Sequence, residues 1–402
     1  MNETPVTEPR GATAGAGATD RRQSVSIQLS APTFGAAELR EITAAIQDGW
    51  VTGGPRVARL TMGLRSYLGV EHLTCVSSCS AGMKLALVEL GVGPGDEVLV
   101  PAVTFASCAN LVVHQGAVPV LVDVDPDTGL IDLDGARDAV TERTRAAFVV
   151  HLHGRPLDMD AVAAFTADTG VPVIEDAAHA IGARWRGRMI GSFGNPTAFS
   201  FHASKNMTTV DGGALVSPSR DAADRAGLLS RQGMSRPSWD RHEDEAPGAY
   251  DIVAPGFKFA MHDVAAALGI HQLKALDERT ERRLQLARLY DDALADVDVR
   301  VAPPAPDHAR HAMHVYAVRI PGGEARRNRV ARELSRAGIG TSVHFRSLHL
   351  HTYYAESLGL EPDDLPRARA YSDESLSLPM HPGLSDGDVE QVVEALRGAL
   401  GG

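Results

Sequence analysis

The stretch AAFVVHLHGRPLDMDAVAAFTADTGVPVIEDAA (Ala146–Ala178) reads as strand, helix, strand. Its two ends, AAFVVHLHG (Ala146–Gly154) and VPVIEDAA (Val171–Ala178), are short, rich in β-branched residues and almost continuously apolar. Such runs suit strands buried on both faces of a mostly parallel sheet. Between them MDAVAAFTADTG is helix-like and ends at Gly170. The alternation extends outward in both directions. VLV (Val98–Val100) and VPVLVDV (Val118–Val124) come before, with the helix-like CANLVVHQG after Ser107 and DLDGARDAV from Asp132. TAFSFH (Thr197–His202) and ALVS (Ala214–Ser217) come after. Repeated units of this kind indicate a doubly wound α/β domain.

From His262 the pattern changes to one long helical periodicity, AAALGIHQLKALDERTERRLQLARLYDDAL, expected to lead out of the large domain. The remainder alternates strand-like HAMHVYAVRI (His311–Ile320) and TSVHF (Thr341–Phe345) with helix-like RNRVARELSRAGIG (Arg327–Gly340) and SDGDVEQVVEALRGAL (Ser385–Leu400). It reads as a smaller α+β domain, which divides the chain into residues 25–275 and 276–402. APPAPDHARH (Ala302–His311) is the linker candidate, because proline opposes both helix and ladder. Residues 1–24, rich in Thr, Gly, Ala, Pro and charge, read as a disordered tail.

Composition narrows the function. The 402 residues are 44% hydrophobic and 22% charged, as in a globular chain with a sizeable core. With 39 basic against 51 acidic residues the net charge is −12, which disfavours a nucleic-acid partner. Three cysteines, Cys75, Cys79 and Cys108, lack C-x-x-C spacing and point to a reducing cytoplasm. The most apolar stretch, Val98–Val124, is broken by Pro101, Asn110, His114, Gln115 and Pro119, so no membrane span is expected. GVGPGD (Gly91–Asp96) lacks dinucleotide-binding spacing and reads as a turn.

Three segments carry chemistry. In HLTCVSSCSAGMKLALVELG (His72–Gly91) a strand runs into a helix starting near Ser80, and small residues there leave N–H groups open to a phosphate at the positive helix end. The simpler alternative makes Ser78 and Ser80 N-caps. Asp176 in VIEDAAHAIGA (Val173–Ala183) closes a buried strand where ligands of open α/β sheets bind, against the alternative of a cap or a buried ion pair. Were its partner a protonated pyridine nitrogen at ~4 Å, the attraction would be about 4 kcal/mol at an effective dielectric of ~20. The ring would then stay protonated and act as an electron sink. Lys205 in FSFHASKNMTTVDGGALVS (Phe199–Ser217) sits among small polar residues after a buried strand. Partly withdrawn from water it becomes a free amine able to form a Schiff base, rather than the usual solvated surface lysine. Asp176 lies 29 residues earlier, on the preceding strand unit, so both are expected to reach one pocket.

From about Gly49 to its C-terminus the chain resembles the DegT/DnrJ-type sugar aminotransferases, which use pyridoxal 5'-phosphate on a type I fold. The motifs are GWVTGGP (Gly49–Pro55), SSCSAGMKLAL (Ser77–Leu87), VPAVTFASCAN (Val100–Asn110), HLHGRPLDMD (His151–Asp160), VIEDAAHAIGA, GSFGNPTAFSFHASKN (Gly191–Asn206), DGGALVS, APGFKFAMHDVAAALGIHQL (Ala254–Leu273) and VHFRSLHLHTYY (Val343–Tyr354). The resemblance implies Lys205 as Schiff-base lysine and proton carrier, Asp176 as partner of the pyridinium nitrogen and His179 beside the ring hydroxyl. It implies Phe105 stacked on the ring, and Ser80, Ala81 and Ser200 around the phosphate. Lys258 would reach the same phosphate from a neighbouring subunit, making a homodimer with shared sites. Trp50, Thr52 and His349 fall on the substrate side, and Arg231 is the candidate for the donor carboxylate.

Three departures stand out: Ser80-Ala81-Gly82 replaces the commoner Thr-Ala-Ala, Ala260 stands where relatives carry Asn or Arg, and Gln232 where many carry His. The subgroup resembled most acts at C4 of nucleotide-linked ketosugars, with L-glutamate as donor. A cyclitol-ketone aminotransferase of aminoglycoside assembly uses the same motifs, and a non-catalytic cofactor- or sugar-binding protein is the reading from another class. The dehydratase relatives carry histidine at the Schiff-base position, against Lys205 here. The pairs His151/His153 and His349/His351 have strand spacing, but no ligand set accompanies them and no metal is expected.

Overall fold

The computed structural model describes residues 25–235 and 250–401, so the tail expected over residues 1–24 lies outside the described residues. Helices α1 (Ala36–Gln47) and α2 (Pro55–Leu68) lead into β1 (Leu73–Val76) and α3 (Cys79–Glu89). Next come β2 (Glu97–Pro101), α4 (Ser107–Val113), β3 (Val118–Val122), α5 (Leu133–Asp138), β4 (Thr144–Val150), α6 (Met159–Thr169) and β5 (Val173–Asp176). A small hairpin, β6 (Arg184–Trp185) and β7 (Arg188–Met189), precedes β8 (Thr197–Ser200), β9 (Gly213–Val216) and α7 (Arg220–Leu229). Seven strands form one sheet in the order β1-β9-β8-β5-β4-β2-β3. Neighbours from β3 through β8 are parallel, while β9 is antiparallel to both β8 and β1.

The apolar runs read from the sequence explain this sheet. Successive residues of a strand face opposite ways. Ala146, Phe148 and Val150 of β4 pack with α3 and α4 on one face, and Ala147 and Val149 pack with α2 and α6 on the other. Both faces are therefore apolar and both are covered. Truncating the fully buried Phe148 to alanine would cost about 3–5 kcal/mol. The connecting helices have local stop signals: α6 is capped by Asp158, whose side chain accepts from the N–H groups of Asp160 and Ala161, and it ends at Gly170 with φ +71°.

The long helix expected after His262 is two helices, α8 (Asp263–Lys274) and α9 (Leu276–Ala293), broken at Ala275 with φ −94° and ψ 0°. The physical reason is that the halves serve different cores. Ala266 and Ile270 of α8 pack beneath the large sheet, whereas Leu286 and Tyr290 of α9 join a separate cluster with residues from the C-terminal third. That cluster surrounds β10 (Arg300–Val301), β12 (Tyr316–Arg319) and β13 (Ser375–Leu378), which form an antiparallel sheet; β11 (Ala309–Arg310) instead pairs with β6. Helices α10 (Gly323–Arg336), α11 (Thr352–Leu358), α12 (Pro366–Glu374) and α13 (Asp386–Gly401) complete the chain. TSVHF, expected as a strand, is irregular apart from a single bridge from Ser342 to Ser377. Its backbone bends away to bring His344 and Phe345 to the cavity described next. Among the described residues no helix is long and apolar enough to cross a membrane.

Candidate active site

At the carboxyl ends of the parallel strands lies a cavity of about 430 Å³ lined by Ser80, Phe105, Asp176, His179, Ser200 and Lys205. These are six of the residues singled out in the sequence, and the topology explains their meeting. Asp176 is the last residue of β5 and Ser200 the last of the adjacent β8, so both project from the edge where open α/β sheets bind ligands. Lys205 follows in the turn after β8. Helix α3 lies so close over β9 that a Cβ on Gly213 would stand 2.6 Å from the Cys79 nitrogen and 2.6 Å from the Phe199 carbonyl oxygen. Only glycine lets the start of that helix, with Ser80, come down over the strand ends. Phe105 is 59% exposed before α4, with its ring 5.7 Å from that of Phe345.

The electrostatics match the geometry. Asp176 is buried; its Oδ1 accepts the Ala178 N–H at 2.9 Å, and Cys108 Sγ lies 3.3 Å from Oδ2. The Lys205 ammonium makes no hydrogen bond or ion pair among the described residues, and loss of water lowers its proton affinity, partly offset by Asp176. It is thereby shifted toward the nucleophilic free amine. His179 accepts the His153 N–H on Nδ1 at 3.2 Å, which leaves Nε2–H as the donor of the neutral ring. Burial, then Lys205 and the neighbouring histidines, hold His179 well below the ordinary histidine range.

Other expectations change. His349 does not line the cavity: it is buried, with Nδ1 at 2.8 Å from Ser347 Oγ and Nε2 at 3.1 Å from the Pro362 carbonyl. The structure therefore does not bring it into this cavity, which His344 and Phe345 of the same motif line together with His314. Ala81 is buried behind the wall and its N–H donates to Ser78 Oγ at 3.1 Å, so Ser78 is the N-cap, whereas the Ser80 hydroxyl pairs with Ser107 at 2.8 Å. Thr52 and Lys258 line a second cavity of about 1440 Å³, with Arg231, Gln232 and Ala260. Trp50, half-buried, lines neither; its ring lies beside Gly54. The histidine pairs are not strand pairs, since both lie in 3-10 turns or beside them. His151 bonds Glu175 at 3.1 Å, while His153 bonds the His344 carbonyl at 2.9 Å. His314 and Phe345 were missed because each stands in a run that reads as strand, and periodicity does not tell an inward loop from a ladder.

The donor set fits pyridoxal 5'-phosphate: a buried carboxylate for a ring nitrogen, one unpaired lysine, hydroxyls at a helix start and an aromatic face. Solved structures share the whole fold. Spr1654, a sugar aminotransferase from Streptococcus pneumoniae in its PMP form, superposes with a TM-score of 0.88 at 31% identity, covering 94% of this chain and 99% of that one. The aminotransferase TlmJ from Streptoalloteichus hindustanus gives 0.86 at 35% identity, covering 93% and 99%. The fold is that of the type I pyridoxal-phosphate sugar aminotransferases. In sequence, the spore coat polysaccharide biosynthesis protein SpsC of Bacillus subtilis is 40% identical over 379 residues, 94% of this chain and 97% of that protein. Residues 32–397 match the DegT/DnrJ/EryC1/StrS aminotransferase family, and the chain belongs to it. Pyridoxal phosphate is its cofactor.

Proposed function

We propose that this sugar aminotransferase moves an amino group from L-glutamate to the C4 keto carbon of a nucleotide-linked ketosugar in deoxyaminosugar biosynthesis. The observation that carries the reading is the pairing, in one cavity, of Asp176 with a Lys205 amine whose proton affinity is lowered by burial. When bound, pyridoxal phosphate supplies an aldehyde carbon that captures amines and a ring that withdraws electrons. The chain supplies the rest. Asp176 binds and orients the ring nitrogen, and His179 donates from Nε2–H to the ring oxygen. Ser80 and Ser200 hydroxyls bind the phosphate, with Ala81 holding the helix start behind them. Phe105 covers the ring face and excludes water. Lys205 Nζ takes the proton off the donor α-carbon and, in the second half of the reaction, delivers one to the former keto carbon of the sugar.

The reading includes a cytoplasmic homodimer whose second cavity meets the partner's first, so that Lys258, Trp50 and Thr52 serve the neighbouring site. Exposed apolar residues on α1 and α2, Leu39, Ile46 and Met62, support such a contact. Residues 25–275 would form the large domain and 276–402 the small one.

The test is to add L-glutamate alone to purified cofactor-loaded protein. Loss of the visible band with one 2-oxoglutarate released per site is expected. A band untouched by glutamate, glutamine or other amino acids would overturn transamination in favour of a binding role. A panel of nucleotide 4-ketosugars, 3-ketosugars and inosose then distinguishes C4 action from C3 action and from cyclitol chemistry.

A further inference from the structure

Two buried thiols with no role in the chemistry above meet at the carboxylate that governs it. Asp176 Oδ1 accepts the Ala178 N–H at 2.9 Å, and Cys108 Sγ stands 3.3 Å from Oδ2. No other hydrogen bond reaches Oδ2 among the described residues. Cys108 is fully buried in α4, three residues after Phe105, so one short segment presents both the ring-covering aromatic and this thiol.

The alternatives open to the Cys108 proton are poorer. Thr104 Oγ is 3.7 Å away and Met83 Sδ 4.0 Å, and both are neutral, whereas an ionised oxygen is the stronger acceptor. The thiol also stays protonated, because burial and the adjacent Asp176 charge both oppose its ionisation. Cys79 differs. Its Sγ is 3.8 Å from Asp176 Oδ1 but 3.5 Å from the Ala198 carbonyl, which is the nearer acceptor.

We propose that Cys108 is a positioning residue: its S–H donates to Oδ2 while the Ala178 N–H holds Oδ1, fixing the plane of the Asp176 carboxylate toward the cofactor's ring nitrogen. A donor on each oxygen stops rotation about the last side-chain bond. A thiol is a weak donor, so it orients the carboxylate while withdrawing little of the negative charge that must hold the ring proton. A hydroxyl at the same place would orient it and drain it more. The role rests on the reading of Asp176 given above.

Infrared spectroscopy of the S–H stretch in the full-length, cofactor-free protein tests the contact without any turnover. The parent should show a hydrogen-bonded, low-frequency S–H component that vanishes in Cys108→Ala and moves to higher frequency in Asp176→Asn. In loaded protein, Cys108→Ala should shift the pH midpoint of the visible band by about half a unit or more. It should also lower kcat by about 3–10-fold with KM for the amino donor unchanged, and Cys108→Ser should restore part of both. An S–H spectrum indifferent to Asp176→Asn would overturn the proposal. So would a Cys108→Ala protein with the parent's midpoint and kcat that merely melts earlier. Should Cys108→Ala fail to fold, the comparison of parent with Asp176→Asn still decides. Failure of the parent to transaminate glutamate would overturn the function above but leave the infrared and band-midpoint results standing.

Discussion

The backbone N–H of His153 donates to Nδ1 of His179 at 3.2 Å, while the His153 ring reaches the His344 carbonyl at 2.9 Å. One residue thus ties the loop after β4 to a cavity residue and to the C-terminal segment facing it. All three rings are kept neutral by burial: His153 is pushed down to about 4, His344 to about 3, and His179 well below its ordinary value.

Acid sensitivity follows from those histidines. A histidine lowered by folding binds its proton more readily when unfolded, so its stabilisation is full above about pH 6.5 and declines as the pH falls toward its folded value. Each contributes a slope of about 1.4 kcal/mol per pH unit in that window. Urea unfolding of cofactor-free protein at pH 7.5, 6 and 5 should show a loss of several kcal/mol in the last step. His344→Gln should flatten it by about one such slope. Constant stability down to pH 5 would contradict this account.

Lys205 should be the most sensitive single position. Replacement by alanine should lower turnover by at least about 10³-fold, with cofactor affinity and the visible spectrum both changed. Because burial lowers its proton affinity, the parent's rate should fall on acidification as the amine is protonated. Lys205→Arg, which stays charged at every accessible pH, should be as inactive as the alanine variant. A near-normal rate in either would sink the assignment.

Gly213 couples the sheet to the start of α3. A methyl group there would meet backbone atoms of Ser78, Cys79 and Phe199 at 2.6 Å, none of which is a flexible side-chain end. Gly213→Ala should therefore destabilise the protein by about 2–3 kcal/mol and weaken cofactor binding by lifting Ser80 from the cavity. Chemical denaturation and a cofactor titration measure the two effects separately.

The proposed shared-site dimer makes a complementation prediction. Lys258→Ala and Lys205→Ala proteins should each be impaired as homodimers. Mixed and allowed to exchange subunits, they should regain up to about a quarter of parental activity, since half the dimers are then mixed and each holds one intact site. No recovery despite proven exchange would place Lys258 in its own subunit's chemistry.

Much of this was legible in the chain, for identifiable reasons. Strands buried on both faces leave unbroken apolar runs, so β2 to β5 and β8 could be read directly, and with them the strand-end position of Asp176; Ser200 was named only through the resemblance. Lys205 followed from its neighbours in sequence, whereas His179 came only from the family resemblance. What escaped depends on contacts between distant segments. Nothing local in AAALGIHQLKALDERTERRL marks the break at Ala275, which arises because α8 and α9 bury different faces. Nor does VHFRSLHLHTYY say which histidine turns inward: His344 lines the cavity and His349 is spent on Ser347 and Pro362. The carboxylate–thiol contact joins residues 68 positions apart and has no sequence signature.

The sheet order leaves β3 on an outer edge. There the Val118 N–H is spent inward on the Asp96 carbonyl, so strand alternation turns the nitrogen of Pro119 outward. Proline has no hydrogen to offer at that place, so the edge ladder is interrupted near its start. One of the five residues that interrupt the most apolar stretch of the chain thus also closes the hydrogen-bonding ladder at the outer edge of its sheet.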